Sequence, residues 1–221
     1  MLQIQRISKS FGGVKATDDV SLDFADGTLT AVIGPNGAGK STFFNLITGA
    51  FKPDQGRIML DGVDMVGRSP PEIVRHGIGR AFQVASIFPS LTVEETMLAA
   101  VGVDQRRAEV LHRRFPLPET RERAAHTLEM LGLADKRHRR AATLSHGDQK
   151  LLDIALALVL NPKVLLLDEP TAGMGPEERW RMIEKVHELW AREKLTLIFI
   201  EHDMDIVFKI APLIVVLCYG R

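Results

Sequence analysis

The sequence of 221 residues has a single cysteine, no formal net charge and no long apolar run. Cys218 alone cannot form a disulfide framework or a cysteine metal cluster, which is typical of a reducing compartment. The 28 basic residues match the 28 acidic ones, so the composition does not favour a nucleic-acid partner. No run approaches the roughly 18 apolar residues of a membrane span, and residues 1–11 do not resemble a signal peptide. Any membrane role is therefore expected to come through partner proteins.

The pattern of apolar residues predicts an α/β protein in one domain, 1–221, with the composition of a soluble globular chain. Alternating stretches at 2–7 and 20–24 predict an antiparallel β-layer, and Asp26–Gly27 predicts a hairpin-type turn. The continuous apolar run at 164–167 is typical of a parallel strand covered on both faces. Residues 195–200 and 213–217 predict two further strands. A segment rich in Arg, Glu, Ala and Leu predicts an inserted helical subdomain. It covers about 84–149, which leaves 1–83 and 150–221 for the core and β-subdomain.

Residues 29–42, LTAVIGPNGAGKST, match the P-loop pattern G-x-x-x-x-G-K-[ST]. A predicted strand ends at Gly34 and a helix is predicted to begin near Lys40, which disfavours a glycine-rich turn without a ligand. Backbone N–H groups at the helix N-terminus would hold phosphate. We expect Lys40 to bind the β- and γ-phosphates and the Ser41 hydroxyl to bind Mg²⁺. The candidate nucleotide-binding residues are Gly34, Pro35, Asn36, Gly37, Ala38, Gly39, Lys40, Ser41 and Thr42.

Three polar residues follow the later predicted strands. Asp168 ends one apolar run, where it could hold a metal ion, and Glu169 is placed to polarise an attacking water. His202 follows the next run and could orient that water beside the γ-phosphate. Each residue alone is also explained as a strand-end cap or a structural histidine. Together with the P-loop, they predict hydrolysis of a nucleoside triphosphate.

The segment LSHGDQ at 144–149 precedes another predicted helix. Ser145 and Asp148 fit the Ser-x-x-Asp pattern of a helix start, with Ser145 as the cap. That pattern alone is a weak signal, although a hydroxyl, a glycine and a helix N-terminus can also bind an anion.

The P-loop, LSHGDQ, LLLDEP at 165–170 and His202 occur in the order and spacing of ABC-transporter ATPase subunits, which the chain resembles over its whole length. The resemblance implies a P-loop NTPase with a RecA-like core, an antiparallel β-subdomain and an inserted helical subdomain. It implies ATP and Mg²⁺ as ligands, and a head-to-tail homodimer or heterodimer of ATPase subunits that sandwiches two ATP molecules. The other implied partners are integral membrane permease subunits and, indirectly, a solute-binding protein. The chain would then act peripherally at the cytoplasmic face of the plasma membrane.

The resemblance also implies roles for individual residues. Phe11 would stack on adenine, and Gln83 would bind Mg²⁺ and water, with the segment after it contacting the membrane subunit. Ser145 and Gly147 would bind the γ-phosphate of the ATP held by the other subunit. Asp168 would be a metal ligand, with Glu169 and His202 acting in catalysis.

Shorter motifs resemble the importers of branched-chain amino acids, or of urea and amides. These motifs are SFGGV at 10–14, FPSLTV at 88–93 and EPTAGM at 169–174. Lipopolysaccharide-export ATPases have similar sequences at these motifs and stay an alternative. The transported solute cannot be named from this chain, because its selection belongs to other subunits.

Three departures from the family pattern stand out. His146 and Asp148 replace the third and fifth residues of Leu-Ser-Gly-Gly-Gln, and Asp148 adds a negative charge near a phosphate unless it caps its own helix. Gly175 occupies the position of the usual D-loop aspartate, and the chain ends at Arg221 where relatives commonly continue. A truncated chain and a subunit without that tail both stay open. Asp148 and Gly175 also suggest a second hypothesis, a regulatory nucleotide-binding subunit with weak hydrolysis.

Overall fold

The computed structural model describes residues 1–81, 88–104 and 118–221 and contains two β-sheets of different type. The first sheet is antiparallel, with strand order β2-β1-β4-β5. Its strands are β1 (Leu2–Phe11), β2 (Val14–Phe24), β4 (Gln55–Leu60) and β5 (Val63–Asp64). The predicted antiparallel layer is therefore confirmed, and its first two strands are longer than the alternating stretches indicated.

The second sheet is parallel, with strand order β6-β7-β8-β3-β9. Its strands are β3 (Leu29–Ile33), β6 (Ile78–Ala81), β7 (Val164–Asp168), β8 (Thr196–Ile200) and β9 (Leu213–Val216). Every residue of β7 and β8 is buried, as expected for strands covered on both faces. Because all carboxyl ends of parallel strands lie at one edge, the segments after β3, β7 and β8 meet there.

The turn at Asp26–Gly27 does not form the predicted hairpin. It links β2 of the antiparallel sheet to β3 of the parallel sheet, so the two strands are not paired. The reason is the burial of β3, four of whose five residues are buried, whereas β2 keeps one exposed face. The indole Nε1 of Trp190 donates a hydrogen bond of 2.9 Å to the Gly27 carbonyl and holds this turn against the core.

Seven α-helices accompany the sheets in the described ranges. They are α1 (Lys40–Ile47), α2 (Pro70–His76), α3 (Val93–Asp104), α4 (Pro118–Met130), α5 (His146–Leu158), α6 (Pro176–Glu193) and α7 (Met204–Ile210). A capping box starts α3, because Thr92 and Glu95 each bind the other's backbone N–H. Buried side chains of α3, α4 and α5 share one apolar cluster with β7 and β8. No helix in these ranges has both the length and the apolarity needed to cross a membrane.

Candidate nucleotide-hydrolysis site

The P-loop runs from the end of β3 to the start of α1, as the sequence predicts. Gly34, Gly37 and Gly39 all have positive φ angles. A Cβ atom at Gly34 would collide with the carbonyl oxygen of Leu217, and one at Gly39 with that of Ala16. The loop therefore needs glycine at both positions because neighbouring backbone packs directly against it. Helix α1 follows directly, and no side chain of the described residues caps its N-terminus, which suits a helix end that binds phosphate.

Lys40 is the first residue of α1, and only 7% of it is exposed. Its ammonium donates hydrogen bonds to the carbonyl oxygens of Gly34, at 2.7 Å, and Pro35, at 3.0 Å. Burial lowers the pKa of Lys40, while the nearby carboxylates of Glu169 and Asp168 act in the opposite direction. The Lys40 ammonium is thus hydrogen-bonded to the P-loop itself and interacts electrostatically with the carboxylates of Asp168 and Glu169 at the end of β7. Of the next two residues of α1, Ser41 is exposed and Thr42 is partly buried.

Asp168 ends β7 and forms a buried ion pair that the sequence pattern does not predict. Its Oδ2 atom accepts a hydrogen bond of 2.6 Å from Arg80 at β6, and the Arg80 guanidinium also donates to Asn45 of α1, again at 2.6 Å. Both members of the ion pair are about nine-tenths buried. Arg80 therefore joins the P-loop helix to the end of β7, an arrangement that no local spacing in the sequence signals.

Glu169 and His202 meet across the carboxyl edge of the parallel sheet. The Nε2 atom of His202 lies 2.8 Å from Oε1 of Glu169, within hydrogen-bond distance. Glu169 has a φ of 48°, a backbone conformation that a residue with a side chain rarely adopts. Its own N–H donates to the Ile200 carbonyl at the end of β8. The predicted carboxylate and imidazole are thus brought together although they are 33 positions apart in the chain.

The segment 144–149 begins α5 as predicted, and the Ser145 hydroxyl accepts a hydrogen bond from the N–H of Asp148. Asp148 does not cap its own helix; its carboxylate instead pairs with the ammonium of Lys136 at 2.8 Å. Gly147 is buried against Glu178 of α6, whose carboxylate occupies the space that a Cβ atom would need. The extra negative charge of Asp148 is therefore balanced by a lysine that lies 12 residues earlier.

Ser145 and Gly147 line a cavity of about 550 Å³ between α5 and α6, together with Asp148 and Lys136. Among the described residues, the lining of this cavity includes none from the P-loop. Within the described residues, this cavity is therefore not shared with Lys40. His146 points elsewhere, with Nε2 3.3 Å from the carbonyl oxygen of Ala172.

Phe11, at the end of β1, is partly exposed and packs edge-to-face on Phe51, with ring centroids 5.2 Å apart. The ammonium of Lys9 lies 5.6 Å from the centroid of the Phe11 ring. Phe51 follows α1, and the sequence patterns do not single it out. Gln83 lies outside the described residues.

Comparison with known proteins gives the same picture as the geometry. The family model described as ABC transporter matches residues 17–172. The chain is 37% identical to the high-affinity branched-chain amino acid transport ATP-binding protein LivG of Salmonella typhimurium, over 100% of this chain and 89% of LivG.

Solved structures of ATP-binding cassettes share the fold. The ADP conformation of MJ1267, an ATP-binding cassette of an ABC transporter, superposes with a TM-score of 0.88 at 36% identity, covering 100% of this chain and 88% of that one. The dimeric post-hydrolysis state of the ATP-binding cassette MJ0796, bound to ADP and Pi, gives 0.82 at 25% identity, covering 100% and 95%.

Proposed function

Because this chain belongs to the ABC transporter family, we propose that it is the ATP-hydrolysing subunit of an importer for branched-chain amino acids. The observation that carries the hydrolytic part is the Glu169–His202 pair at the edge of the sheet that also bears the P-loop. The likeness to LivG supports the solute class. The lipopolysaccharide-export alternative is not favoured by these relatives.

The P-loop would hold the phosphates of ATP on the backbone N–H groups of residues 34–42. On binding, the Lys40 ammonium would exchange the carbonyl oxygens of Gly34 and Pro35 for phosphate oxygens, which are stronger partners for a cation. Phe11 would stack its exposed ring face on the adenine. Binding would therefore need little rearrangement of the loop, since its curl is already fixed by Leu217 and Ala16.

Ser41, Asp168 and Gln83 are the residues that would hold Mg²⁺. Their hydroxyl, carboxylate and amide oxygens suit this hard cation, which is usually bound by one or two carboxylates together with substrate phosphates. Oδ2 of Asp168 is held by Arg80, which fixes the orientation of the carboxylate at the end of β7. When bound, the ion would neutralise charge on the β- and γ-phosphates.

Glu169 would act as the general base that accepts a proton from the attacking water. His202, hydrogen-bonded to Oε1 of Glu169, would keep that carboxylate oriented and bind the γ-phosphate. A water can reach both side chains, because Glu169 is only partly buried and His202 is exposed. A water held between this carboxylate and the P-loop would then attack the γ-phosphate.

We further propose that two such subunits, identical or different, clasp ATP between the P-loop of one and Ser145–Gly147 of the other. The dimeric state of MJ0796 supports this arrangement, and the described lining of the cavity at Ser145 and Gly147 includes no P-loop residue of the same copy. The chain would act peripherally at the cytoplasmic face of a membrane, on permease subunits that receive solute from a binding protein. Pairing of Asp148 with Lys136 removes one reason for the regulatory-subunit alternative.

The deciding experiment replaces the proposed base, Glu169→Gln. We expect phosphate release to fall by about 10²- to 10⁴-fold, the usual contribution of a positioned general base, while ATP affinity is kept and light scattering detects a stable ATP-dependent dimer. The matched control is Glu177→Gln, which removes an exposed carboxylate from the first turn of α6. Unchanged hydrolysis in Glu169→Gln would remove this residue from the role. ATP binding without phosphate release by the wild-type chain at every protein concentration would favour the regulatory alternative.

A further inference from the structure

Three consecutive residues after β8 each bind the segment that follows β7. Glu201 bonds to Thr171, His202 to Glu169, and Asp203 to Arg179 in the first turn of α6. The His202–Glu169 contact is therefore the middle one of three parallel links. Of the two flanking links, the one through Glu201 is buried, since Glu201 and Thr171 are 4% and 3% exposed.

The carboxylate of Glu201 uses both oxygens. Oε1 accepts from the Thr171 N–H at 3.0 Å and from the Thr171 hydroxyl at 2.6 Å. Oε2 accepts from the backbone N–H of His202 at 3.1 Å. One buried carboxylate thus fixes the backbone two residues after Glu169 and the backbone of His202 itself. Charged acceptors form the stronger class of hydrogen bonds, so this three-bond arrangement is rigid.

A rigid support is needed here because Glu169 lies in the left-handed region of φ, which is unfavourable for a residue with a side chain. Such a conformation persists only when the surrounding structure holds it. The N–H of Glu169 donates to the Ile200 carbonyl, and Thr171 is bound by Glu201, so two of the supports around the strained residue come from the end of β8. Glu201 is thereby placed to set the distance between the carboxylate and the imidazole.

We propose that Glu201 and Thr171 are positioning residues that hold Glu169 and His202 in register for hydrolysis. Neither residue needs to touch ATP. This inference rests on the proposed function, in which Glu169 and His202 act on the attacking water. It goes further by assigning a role to a buried acid that a protein fold would otherwise avoid at a strand end.

Two substitutions break the link in different ways. In Glu201→Gln the amide oxygen can still accept from Thr171, but the amide NH₂ faces the His202 N–H, so one bond is lost. Glu201 also interacts electrostatically with the buried ammonium of Lys150, and this variant changes that interaction. Thr171→Val removes one hydroxyl and keeps every charge, which separates positioning from electrostatics. Thr171→Ser restores the hydroxyl.

The matched control is Thr196→Val, at the opposite end of β8. Thr196 is 2% exposed, and its hydroxyl accepts from the Gly27 N–H and donates to the Ala25 carbonyl. Its replacement costs a buried hydroxyl in the same strand without approaching Glu169. Thermal unfolding of each full-length variant records the stability loss that any such replacement causes.

We expect Glu201→Gln and Thr171→Val to lower kcat by about 10- to 100-fold, the effect of misplacing a catalytic group by about an ångström. KM for ATP should change by less than about twofold, because the lost interaction acts on the transition state. Thr171→Ser should recover most of kcat, and Thr196→Val should keep it. In the full chain, the imidazole nitrogen resonances of His202 should move in the first two variants and stay in place in the control.

The inference is overturned if Glu201→Gln and Thr171→Val lose stability, as Thr196→Val does, but keep the kcat and the His202 resonances of the wild type. Failure of the proposed function has a different signature, which is a wild-type chain that does not hydrolyse ATP. The His202 resonances need no turnover, so they decide the positioning role in that case as well. Unmoved resonances would refute it and moved ones would support it.

Discussion

Replacing Arg80 by methionine tests the buried pairing at the end of β7. Arg80 and Asp168 are 10% and 8% exposed, and their atoms Nη2 and Oδ2 are 2.6 Å apart. Methionine fills much of the space of the arginine stem but carries no charge. Asp168 would then lose its paired guanidinium and keep only its longer-range interaction with the ammonium groups of Lys40 and Lys150. Asn45 would lose a donor.

The expected cost follows from the burial. Breaking a buried ion pair by removing one partner typically costs about 3–5 kcal/mol, because the remaining charge stays desolvated. That is a large share of the roughly 5–15 kcal/mol that stabilises a folded domain. At about 2–4 °C per kcal/mol for a chain of this length, the melting temperature should fall by about 6–20 °C.

Urea unfolding of the wild type, Arg80→Met, Asp168→Asn and the double variant gives the coupling energy directly. The double variant should be more stable than Arg80→Met, since asparagine removes the uncompensated charge. The matched control is Arg6→Met, which breaks the exposed Arg6–Asp19 pair and should cost little stability, because solvent screens that pair. If Arg80→Met is as mild as this control, the pairing does not stabilise the end of β7 as the geometry indicates.

Two further predictions concern other charges. Lys136→Met leaves the charge of Asp148 unbalanced at the start of α5. Its repulsion of the γ-phosphate held by the other subunit, up to about 1 kcal/mol between unit charges about 4 Å apart in water, should weaken the ATP-induced dimer by about 2- to 5-fold. Light scattering in a Glu169→Gln background measures this, and added Asp148→Asn should restore the dimer. The pKa of Asp61 is lowered from 3.8 to about 2, most strongly by Lys163 and next by the amino terminus. These pairs therefore stabilise the fold above pH 4, and that contribution is lost as the pH falls toward 2. With solvent screening the contribution is about 0.5–1 kcal/mol. The measurement is the difference in unfolding free energy between the wild type and Asp61→Asn at pH 6 and at pH 3. An equal difference at the two pH values would contradict the prediction.

Local sequence signals predicted much of the fold because their physical causes are local. The P-loop pattern correctly predicts a helix from Lys40, since glycine conformations and helix N-terminal N–H groups are set within a few residues. The same holds for the helix that begins after Gly175 with Pro176, and for the start of α5 at Ser145. Strands β7 and β8 are also found, because burial on both faces produces a largely apolar run. Strand β6 is not predicted, and β9 is found although its two end residues are exposed.

Short or context-dependent elements are not predicted by local patterns. Helices α2 and α7 have seven residues each, too few for a clear apolar period. The turn at Asp26–Gly27 resembles a hairpin turn locally, and only the assignment of β2 and β3 to different sheets shows otherwise. The division of the chain into a core and a helical subdomain at about 84 and 149 stays a prediction, as do the roles of the individual site residues.

The sequence by itself determined the phosphate loop and the strand-end acids, since each depends on residues close together in the chain. It also determined the family, through the order of several such motifs along the chain. Only the tertiary structure decided which side chains meet: Arg80 with Asp168, His202 with Glu169, Lys136 with Asp148 and Glu201 with Thr171. For Lys136 and Asp148 the physical reason is the packing of a turn against the start of α5, and for the other three pairs it is the strand order of the parallel sheet. Strands β6, β7, β8 and β3 are neighbours in space but far apart in sequence, and no spacing of residue types records that order.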